Sequence, residues 1–493
     1  MRFRVGEIHL MATGKIGLWL GPLVAIVLQL MPAPDGLDPN AWIVASMVFL
    51  MAIWWVTEAV PIPVTALLPL VILPMTGVST IAAAAGPYSS PIVMMLLGGF
   101  IIATSVQRWN LHSRIALNIV RRAGSSQSGI VGGFMIAAAV LSMWISNSAT
   151  TIMLAPIAVS VVYAILGPSA RGAPFMIAVL LGLAYGASIG GLATPVGTPT
   201  NLIVIGYLEN EFGIHIGFAQ WMSIGVPVVA VMLPACWLTV TRLGIKLQPI
   251  ESSNAGQEKI QQAIAALGPM SRPERRVLIT FLFIAAAWIL RQPLNLLEIG
   301  GVRPFMSMTD HVIAIAGAIV LFLIPAGDDS NRNERLLDWD TAAKIPWGVL
   351  LLFGGGLSMA KAMTSSGLAS WLGESLIVLT SLPLLLLITA LVIFVIFATE
   401  IASNVATASA LLPIIGALAI VGGVDPMLLS LPIAMAASCA FMLPIATGPN
   451  AIAYSTGEVT IPQMIKVGFI LNLFGIVLIS LVIYLMAPYI VPS

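Results

Sequence analysis

Two short polar motifs interrupt long apolar stretches of this sequence. They are Ser-Asn-Ser at residues 146–148 and Ser-Asn-Val at residues 403–405, each followed by Ala-Thr. The asparagine amides can donate to the oxygens of an anion and accept from a cation, and the hydroxyls add further donors and acceptors. Two other interruptions, at residues 194–201 and 444–450, share a spaced Pro, Thr and Asn. The four motifs together predict a site for a small anion and a small cation.

Broken helices supply the binding groups that such a site needs. Each break frees backbone carbonyl oxygens, which suit a cation such as Na⁺, and the half-helix that follows presents its positive N-terminal end to an anion. No Arg or Lys lies in any of the four motifs. Because a doubly charged anion buried in the membrane needs a charge partner, we infer that co-bound cations provide it. An inward cation gradient would then drive the anion uphill.

Three blocks of sequence recur in the same order. The Ser-Asn motifs are separated by 257 residues, from Asn147 to Asn404, and a Leu-x-Gly-Gly block at residues 96–99 returns 256 residues later. The Pro, Thr, Asn and Ile of the first broken segment return 249 residues later, from Asn201 to Asn450. Nearly constant offsets indicate a duplication. Repeats with interrupted helices at matching positions predict a midplane site at the repeat interface.

Composition points to a polytopic membrane protein. Of 493 residues, 59% are apolar and 8% are charged, whereas a soluble domain has roughly 25% charged residues. The formal charge of +1 excludes a basic nucleic-acid surface. We predict eleven spans of about 20 residues, near residues 16–32, 41–58, 60–77, 91–107, 174–208, 219–242, 275–291, 310–325, 346–363, 427–456 and 464–487. Residues 130–166 and 383–421 are predicted to be re-entrant hairpins with the Ser-Asn motifs at their tips.

The distribution of basic residues tests this topology, because Lys and Arg concentrate in cytoplasmic loops. With a cytoplasmic N-terminus and hairpins that return to their own side, 18 of the 21 basic residues lie inside. The exceptions are Arg291, Arg303 and Lys361. The C-terminus is then predicted to lie outside. One hairpin enters from each side, so the two repeats are inverted.

Cysteine and histidine usage argues against metal or redox chemistry. Cys236 and Cys439 lack a partner spacing and are interpreted as small core residues. The histidines form no spaced pair, so we expect no transition metal. Because no nucleophile and base occur together, we expect neither an enzyme nor an organic cofactor. The apolar run at residues 16–31 lacks a cleavage signal and is interpreted as the first span.

A structural interpretation competes with the binding hypothesis. Ser, Asn and Thr in membrane helices often hydrogen-bond a neighbouring helix, but their recurrence in both repeats beside a second break favours a site. The paired glycines near residues 98 and 354 are interpreted as close packing positions. Glu58 is expected at a helix end, facing headgroups. For Glu400, support of the second tip and a role with an ion or proton both stay open.

The tips and the broken segments resemble those of the divalent anion/sodium symporter family, which includes sodium-coupled dicarboxylate, citrate and sulfate transporters. The resemblance extends from about residue 16 to residue 487. It implies an all-α polytopic protein with eleven transmembrane helices and two opposed re-entrant hairpins in an inverted repeat. It also implies a homodimer and an elevator-type movement of a transport domain against a scaffold.

The resemblance also implies which residues bind. The first sodium site would comprise Ser142, Ser146, Asn147 and Gly197. The second would comprise Thr399, Ala402, Asn404 and Ala446. Substrate would contact Asn147, Ser148, Asn404, Thr198 and Thr447. Two positions depart from the family pattern, since Val405 lacks a hydroxyl at the second tip and Gly448 replaces a proline in the second broken segment.

We therefore predict sodium-coupled symport of a small divalent anion across the plasma membrane. A C4-dicarboxylate such as succinate is favoured, followed by sulfate or a tricarboxylate. A sodium-independent dicarboxylate exchanger on the same fold is the alternative, and a channel is a third possibility. The expected divisions are residues 1–128 (mainly scaffold), 129–243 (first transport-domain half), 244–273 (cytoplasmic arm), 274–380 (scaffold of the second repeat) and 381–493 (second transport-domain half). Nucleic acid is not an expected partner.

Overall fold

The computed structural model describes residues 3–247, 255–327 and 333–490, with side chains for residues 15–247, 255–327 and 333–486. Part of the predicted cytoplasmic arm lies outside this description. So do the side chains of Arg2, Arg4 and Arg332, which are three of the 18 basic residues predicted to lie inside. Apart from isolated bridges, the regular elements of the described chain are helices.

The helices of the first repeat and the arm that follows it are numbered in chain order. They are α1 (Phe3–Leu30), α2 (Pro39–Thr57), α3 (Ile62–Thr65), α4 (Leu68–Met75), α5 (Ile81–Ala85), α6 (Pro91–Arg108), α7 (Leu111–Arg122), α8 (Gln127–Ser142), α9 (Asn147–Leu166), α10 (Pro174–Gly190), α11 (Pro199–Phe212), α12 (Phe218–Leu238) and α13 (Ala255–Ala266).

The second repeat continues the numbering. Its helices are α14 (Arg272–Ile289), α15 (Arg291–Leu296), α16 (Asp310–Leu323), α17 (Trp339–Ala342), α18 (Trp347–Ser365), α19 (Leu368–Ser375), α20 (Leu384–Ile401), α21 (Asn404–Val421), α22 (Pro426–Ala437), α23 (Gly448–Ser455) and α24 (Ile461–Ile490).

All four predicted interruptions are breaks between helices. The Ser-Asn motifs lie at the α8–α9 and α20–α21 turns, and the other two breaks separate α10 from α11 and α22 from α23. Side-chain caps or prolines stabilise the starts of three of the following helices, α9, α11 and α23. The Ser146 hydroxyl accepts from the Ala149 N–H at 3.3 Å to cap α9, and Thr447 accepts from the Asn450 N–H at 3.2 Å to cap α23. Prolines occupy the first turns of α11 and α23, where a missing N–H is tolerated.

Some predicted elements differ in detail. The stretch at residues 60–77, predicted as one span, forms α3 and α4 with a break at Ala66 and Leu67. Both helices carry proline in their first turn, a position that favours helix starts over helix interiors. The helix α7 was not predicted; its buried apolar face packs on α8. The helix α13 lies within the predicted arm and packs on α9.

By length and composition alone, nine helical segments among the described residues could cross a membrane. Three of them, containing α9, α20 and α21, are arms of the predicted hairpins. Shorter apolar helices, including α8 and α16, could add to the number. The count of eleven spans therefore stays a prediction, whereas an all-helical, multi-span membrane protein is established by the fold and the family described below.

The core surrounds α10. Nearly every residue of this helix is buried, and it packs against α8, α9, α12 and α23. A helix that is apolar all round is typical of such a central position. The helix α10 leads directly into the first break. That break is therefore positioned by a helix that is almost completely buried.

The paired glycines serve close helix packing. A Cβ at Gly98 would lie 2.7 Å from the Ala314 backbone on α16, and one at Gly355 would lie 2.7 Å from Ala66 Cβ beside α3. Side chains at these positions would force the helices apart. The packing interpretation is therefore supported for Gly98 and Gly355, one glycine of each pair.

Each of the three basic residues predicted to lie outside has an acidic neighbour. Arg291 Nε is 2.9 Å from Asp310 Oδ1, and Arg303 Nε is 3.5 Å from Glu298 Oε2. Lys361 interacts electrostatically with Glu211. Their placement outside stays a prediction, because the positive-inside tendency concerns Lys and Arg and is not a rule of net charge.

Candidate functional site

A cavity of about 950 Å³ lies where the four breaks meet. Nine of the eleven residues assigned to binding from the sequence line it: Ser146, Asn147, Ser148, Gly197, Thr198, Ala402, Asn404, Ala446 and Thr447. The other two, Ser142 and Thr399, are fully buried and do not line it. The duplicated motifs thus surround one space, although they are separated by about half the chain.

At the first tip, the Asn147 amide packs against the first broken segment. One of its terminal atoms lies 3.2 Å from the Ala187 carbonyl oxygen and 3.3 Å from that of Gly197. With Nδ2 turned towards these carbonyls, the amide donates to both. With Oδ1 turned towards them, three oxygens converge, and oxygen ligands of this kind suit a hard cation. Donation by Nδ2 satisfies both carbonyls, so this orientation describes the contact of Asn147 with the first broken segment.

Ser142, at the end of α8, is fully buried. Its Oγ has no hydrogen-bond partner among the described residues. Buried hydroxyls are nearly always paired, so an unpaired one calls for an explanation such as an ion. Ser142 is an available oxygen ligand close in sequence to the first tip.

The second tip presents a similar unpaired oxygen. Asn404 Oδ1 is buried and has no hydrogen-bond partner in the described part of the chain. Thr399 donates to the Ile396 carbonyl at 3.0 Å, which leaves its hydroxyl oxygen able to serve as an acceptor. Val405 follows Asn404 and lines the cavity without a side-chain polar atom.

The asparagines of the two breaks hold them in the same way. Asn201 Nδ2 donates to the carbonyls of Gly191 at 3.0 Å and Thr194 at 2.8 Å. In the second repeat, Asn450 Nδ2 donates to Ala440 and Leu443, both at 3.0 Å. The acceptors lie ten and seven residues before each asparagine. The duplication seen in the sequence is therefore also a duplication of hydrogen bonds.

Glu400 supports the second break. Its carboxylate accepts from the Met442 N–H at 2.9 Å, from the Leu443 N–H at 3.0 Å and from Asn472 Nδ2 at 2.7 Å. The side chain is 3% exposed. Of the two interpretations left open by the sequence, these contacts support the structural one, since the carboxylate ties α20 to the broken segment and to α24.

The cavity contains little fixed charge. Among the described residues that line it, Glu58 is the charged side chain, and it lies at the end of α2 in a left-handed conformation with a φ of 46°. Glu58 stands at a helix end, as expected, and is exposed where it lines the cavity. That it faces headgroups stays a prediction. Because no basic side chain is among these lining residues, the protein itself offers a dianion no compensating charge here.

Comparison with known proteins identifies the family. The sequence model described as "Sodium:sulfate symporter transmembrane region" matches residues 16–491. The chain belongs to the sodium:sulfate symporter family. The resemblance drawn from the Ser-Asn motifs is thereby confirmed, and the family makes this chain a multi-pass membrane transporter rather than an enzyme.

Several relatives in this family are similar over nearly their full length. The sodium-dependent dicarboxylate transporter SdcS of Staphylococcus saprophyticus is 40% identical over 480 residues, which covers 96% of this chain and 91% of that protein. The transporter of the same name from Staphylococcus aureus strain USA300 is 40% identical over 479 residues, with the same coverage.

Two solved structures share the fold at low sequence identity. The Alcanivorax borkumensis YdaH transporter has a TM-score of 0.57 at 14% identity, with 98% of each chain covered. Neisseria gonorrhoeae MtrF has a TM-score of 0.60 at 13% identity, with 91% of this chain and 95% of that chain covered. At this identity the likeness concerns the fold alone.

Sequence reasoning missed four hydroxyl residues of the described cavity lining. They are Thr57, Ser188, Thr200 and Ser438. The Ser188 Oγ is buried and has no partner among the described residues. The hydroxyls of Thr200 and Ser438 are 2.9 Å apart and join the two repeats. Thr200 could have been found because it lies within the first broken motif, whereas Ser188 stands in the apolar helix α10 and Ser438 directly follows the apolar helix α22, without a local signal.

Proposed function

We propose that this chain is a sodium-coupled symporter of a small divalent anion, with a C4-dicarboxylate such as succinate as the favoured substrate. The observation that carries the proposal is the combination of unpaired buried oxygens with a lack of basic lining residues in the described cavity. Oxygens suit Na⁺, and bound Na⁺ supplies the charge that a dianion needs. Binding of the dianion is then coupled to binding of Na⁺ by their electrostatic attraction.

The residues divide between two sodium sites and the substrate. We assign Ser142, Ser146, Asn147 and Gly197 to one sodium ion, and Thr399, Ala402, Asn404 and Ala446 to the other. The substrate is assigned to the space between the tips, within reach of Asn147, Ser148, Asn404, Thr198 and Thr447. Support comes from the orphaned Ser142 Oγ and Asn404 Oδ1, one in each sodium set, and from the carbonyls that face Asn147.

The names of the relatives support the same assignment. The staphylococcal proteins that are 40% identical to this chain are named sodium-dependent dicarboxylate transporters. Because the similarity extends over 96% of this chain, it includes both tips and both broken segments. We extend sodium dependence and dicarboxylate transport to this chain on that basis.

The transport cycle that we propose is an elevator movement in a homodimer in the plasma membrane. The cavity is lined by the end of α2 at Thr57 and the start of α18 at Pro346. The distribution of basic residues predicts that both ends lie on the cytoplasmic side. The described conformation is then open to the cytoplasm, with the N-terminus inside and the C-terminus outside.

Uptake by purified protein in proteoliposomes tests the function. Succinate, citrate, sulfate and aspartate are presented with an inward Na⁺ gradient or with choline in place of Na⁺. We expect concentrative succinate uptake only with Na⁺. Equal uptake in choline would contradict sodium coupling, and uptake of sulfate without succinate would correct the substrate.

Counterflow distinguishes the exchanger alternative. Vesicles loaded with succinate and placed in sodium-free medium would accumulate labelled succinate if the chain were an exchanger. We expect no such accumulation without Na⁺. Single-channel currents in planar bilayers would instead indicate a channel.

A further inference from the structure

Ser148 and Gly448, from opposite repeats, lie in contact at the wall of the cavity. Ser148 is the second residue of α9, and Gly448 is the first residue of α23. A Cβ added at Gly448 would overlap the Ser148 Oγ and lie 3.1 Å from the Ser148 Cβ. The Ser148 hydroxyl therefore occupies the space that any side chain at position 448 would need.

The backbone does not require glycine at position 448. Gly448 is absent from the described residues with positive φ, and it begins a helix, where alanine is favoured over glycine. What an alanine would change is the space beside Ser148. A serine side chain can respond by turning to another staggered rotamer, so the substitution moves the hydroxyl, while the 3.1 Å distance to the Ser148 Cβ stays as a tight contact.

The Ser148 hydroxyl is free to act on a ligand. It has no hydrogen bond within the described part of the chain, and it lines the cavity. At the corresponding position of the second tip, Val405 has no side-chain donor. The cavity is thus asymmetric, with a hydroxyl donor following the asparagine on one tip and an apolar side chain on the other.

We propose that Gly448 is a positioning residue for substrate that acts through Ser148. The glycine keeps open the place from which the Ser148 hydroxyl donates to a carboxylate oxygen of the bound dianion. This inference rests on the proposed function, since it concerns the same cavity. A residue of the second broken segment thus controls the position of a hydrogen-bond donor on the first tip.

A double-mutant cycle tests the coupling. Ser148→Ala, Gly448→Ala and the double variant are reconstituted, and sodium-driven uptake of the anion transported by the wild type is measured. Each single change is expected to raise KM about tenfold, as for loss of one hydrogen bond to a charged group. The double variant should match the larger single effect, because both changes remove the same donor. The maximal rate and the sodium half-saturation should change less than about twofold.

Gly99→Ala serves as the matched control. Its added Cβ would lie 3.4 Å from the Cγ1 of Val196, a cavity residue, and so make ordinary contact. Its KM should equal that of the wild type. An unchanged KM in Gly448→Ala would overturn the proposal, as would a double variant whose KM rises by the product of the single effects.

Thermal unfolding of the purified variants without substrate provides a readout that does not depend on transport. Gly448→Ala should lower Tm more when Ser148 is present than when Ser148 is replaced by Ala, because the overlap with the Ser148 Oγ is then gone and only the 3.1 Å contact between the two Cβ atoms remains. If both Gly448→Ala proteins are equally destabilised or both fail to fold, Ser148 does not fill the space and the proposal is wrong. Absence of any sodium-dependent uptake by the wild type would instead contradict the proposed function.

Discussion

Asn147 and Asn404 hold equivalent positions in the two repeats, yet their surroundings differ. The Asn147 amide lies against the carbonyls of Ala187 and Gly197, whereas Asn404 Oδ1 has no hydrogen-bond partner among the described residues. The first amide is therefore already oriented by the neighbouring break. The second amide has an oxygen that is left available for a ligand. Both amides are nevertheless assigned to substrate and sodium together.

Replacing either tip asparagine by alanine should weaken substrate binding. Asn147→Ala and Asn404→Ala each remove an amide, with an expected loss of about 1–3 kcal/mol. Equilibrium binding of succinate in saturating Na⁺ measures the change. Asn118→Ala is the control, because Asn118 bonds the Arg114 carbonyl on α7 away from the cavity. Wild-type affinity in either tip variant would place the site elsewhere.

Ser142 allows sodium binding to be separated from stability. Ser142→Ala removes an unpaired buried hydroxyl, so it should not lower the free energy of unfolding, and that free energy can rise slightly. It should raise the sodium half-saturation about five- to tenfold if one oxygen ligand is lost. Ser480→Ala is matched, since Ser480 is also buried and unpaired but lies on α24 and does not line the cavity. Equal sodium dependence in the two variants would contradict the assignment of Ser142.

Among the secondary-structure elements, the breaks are held by bonds that the two repeats share. Asn201 and Asn450 each donate to two carbonyls of the preceding broken segment. These bonds satisfy carbonyls that have lost their helical partners. The shape of each break is therefore set within its own repeat, before any ligand binds.

Removing one of these asparagines should loosen a break. Asn201→Ala and Asn450→Ala should each destabilise the protein by about 1–3 kcal/mol, because buried carbonyls lose their donors. The Tm of thermal unfolding and the rate of sodium-driven uptake are both measured, and both should fall. Asn295→Ala, which removes one bond to Met308 outside the breaks, should leave uptake intact. If Asn201→Ala retained full stability, the proposed bracing would be wrong.

Glu400→Gln tests the support of the second break. The carboxylate accepts from two backbone N–H groups and from Asn472. A glutamine at this position would place its own NH2 group, a donor, against one of these three donors. We expect a loss of about 1–3 kcal/mol in stability and a larger sodium half-saturation, since Thr399 and Ala402 flank this residue. The control Glu298→Gln alters an exposed carboxylate near Arg303. Unchanged unfolding and sodium dependence in Glu400→Gln would contradict the supporting role.

The sequence predicted the breaks because their signals are local. Ser, Thr and Asn at helix starts and proline in first turns mark them, and the repeats double each signal. The division of residues 60–77 into α3 and α4 was missed although Pro63 and Pro69, in the first turns of these helices, gave the same local signal. Ser188 and Ser438 were also missed, since only the packing of α10 and α22 around the cavity reveals their position. The pairing of Ser148 with Gly448 required three-dimensional contacts between repeats.

At the scale of the whole molecule, a second space lies away from the candidate site. This cavity of about 970 Å³ is lined by charged residues of α11 and α16 and their connections, including Glu209, Arg291, Asp310 and His311. His311 Nε2 is 3.9 Å from Glu209 Oε2. By the predicted division, α11 belongs to the transport domain and α16 to the scaffold. An elevator movement would therefore separate Glu209 from His311.

A cross-link between these helices should block transport. Cysteines at Glu209 and His311, in a background lacking Cys236 and Cys439, are joined with a short bifunctional thiol reagent. We expect uptake to fall by more than about tenfold on cross-linking if one domain must slide past the other. Cysteines at Arg291 and Asp310 provide the control, because both residues belong to the predicted scaffold. Full uptake by cross-linked Glu209–His311 protein would contradict an elevator movement at this boundary.

The central claim is that bound sodium supplies the positive charge that holds the dianion between the two tips. Equilibrium binding of succinate to purified protein, titrated at fixed ionic strength with Na⁺ replacing choline, measures this directly. The account predicts that the Kd for succinate falls by at least about a hundredfold between zero and saturating Na⁺, equivalent to about 2.7 kcal/mol. A Kd that is the same in choline and in Na⁺ would contradict it.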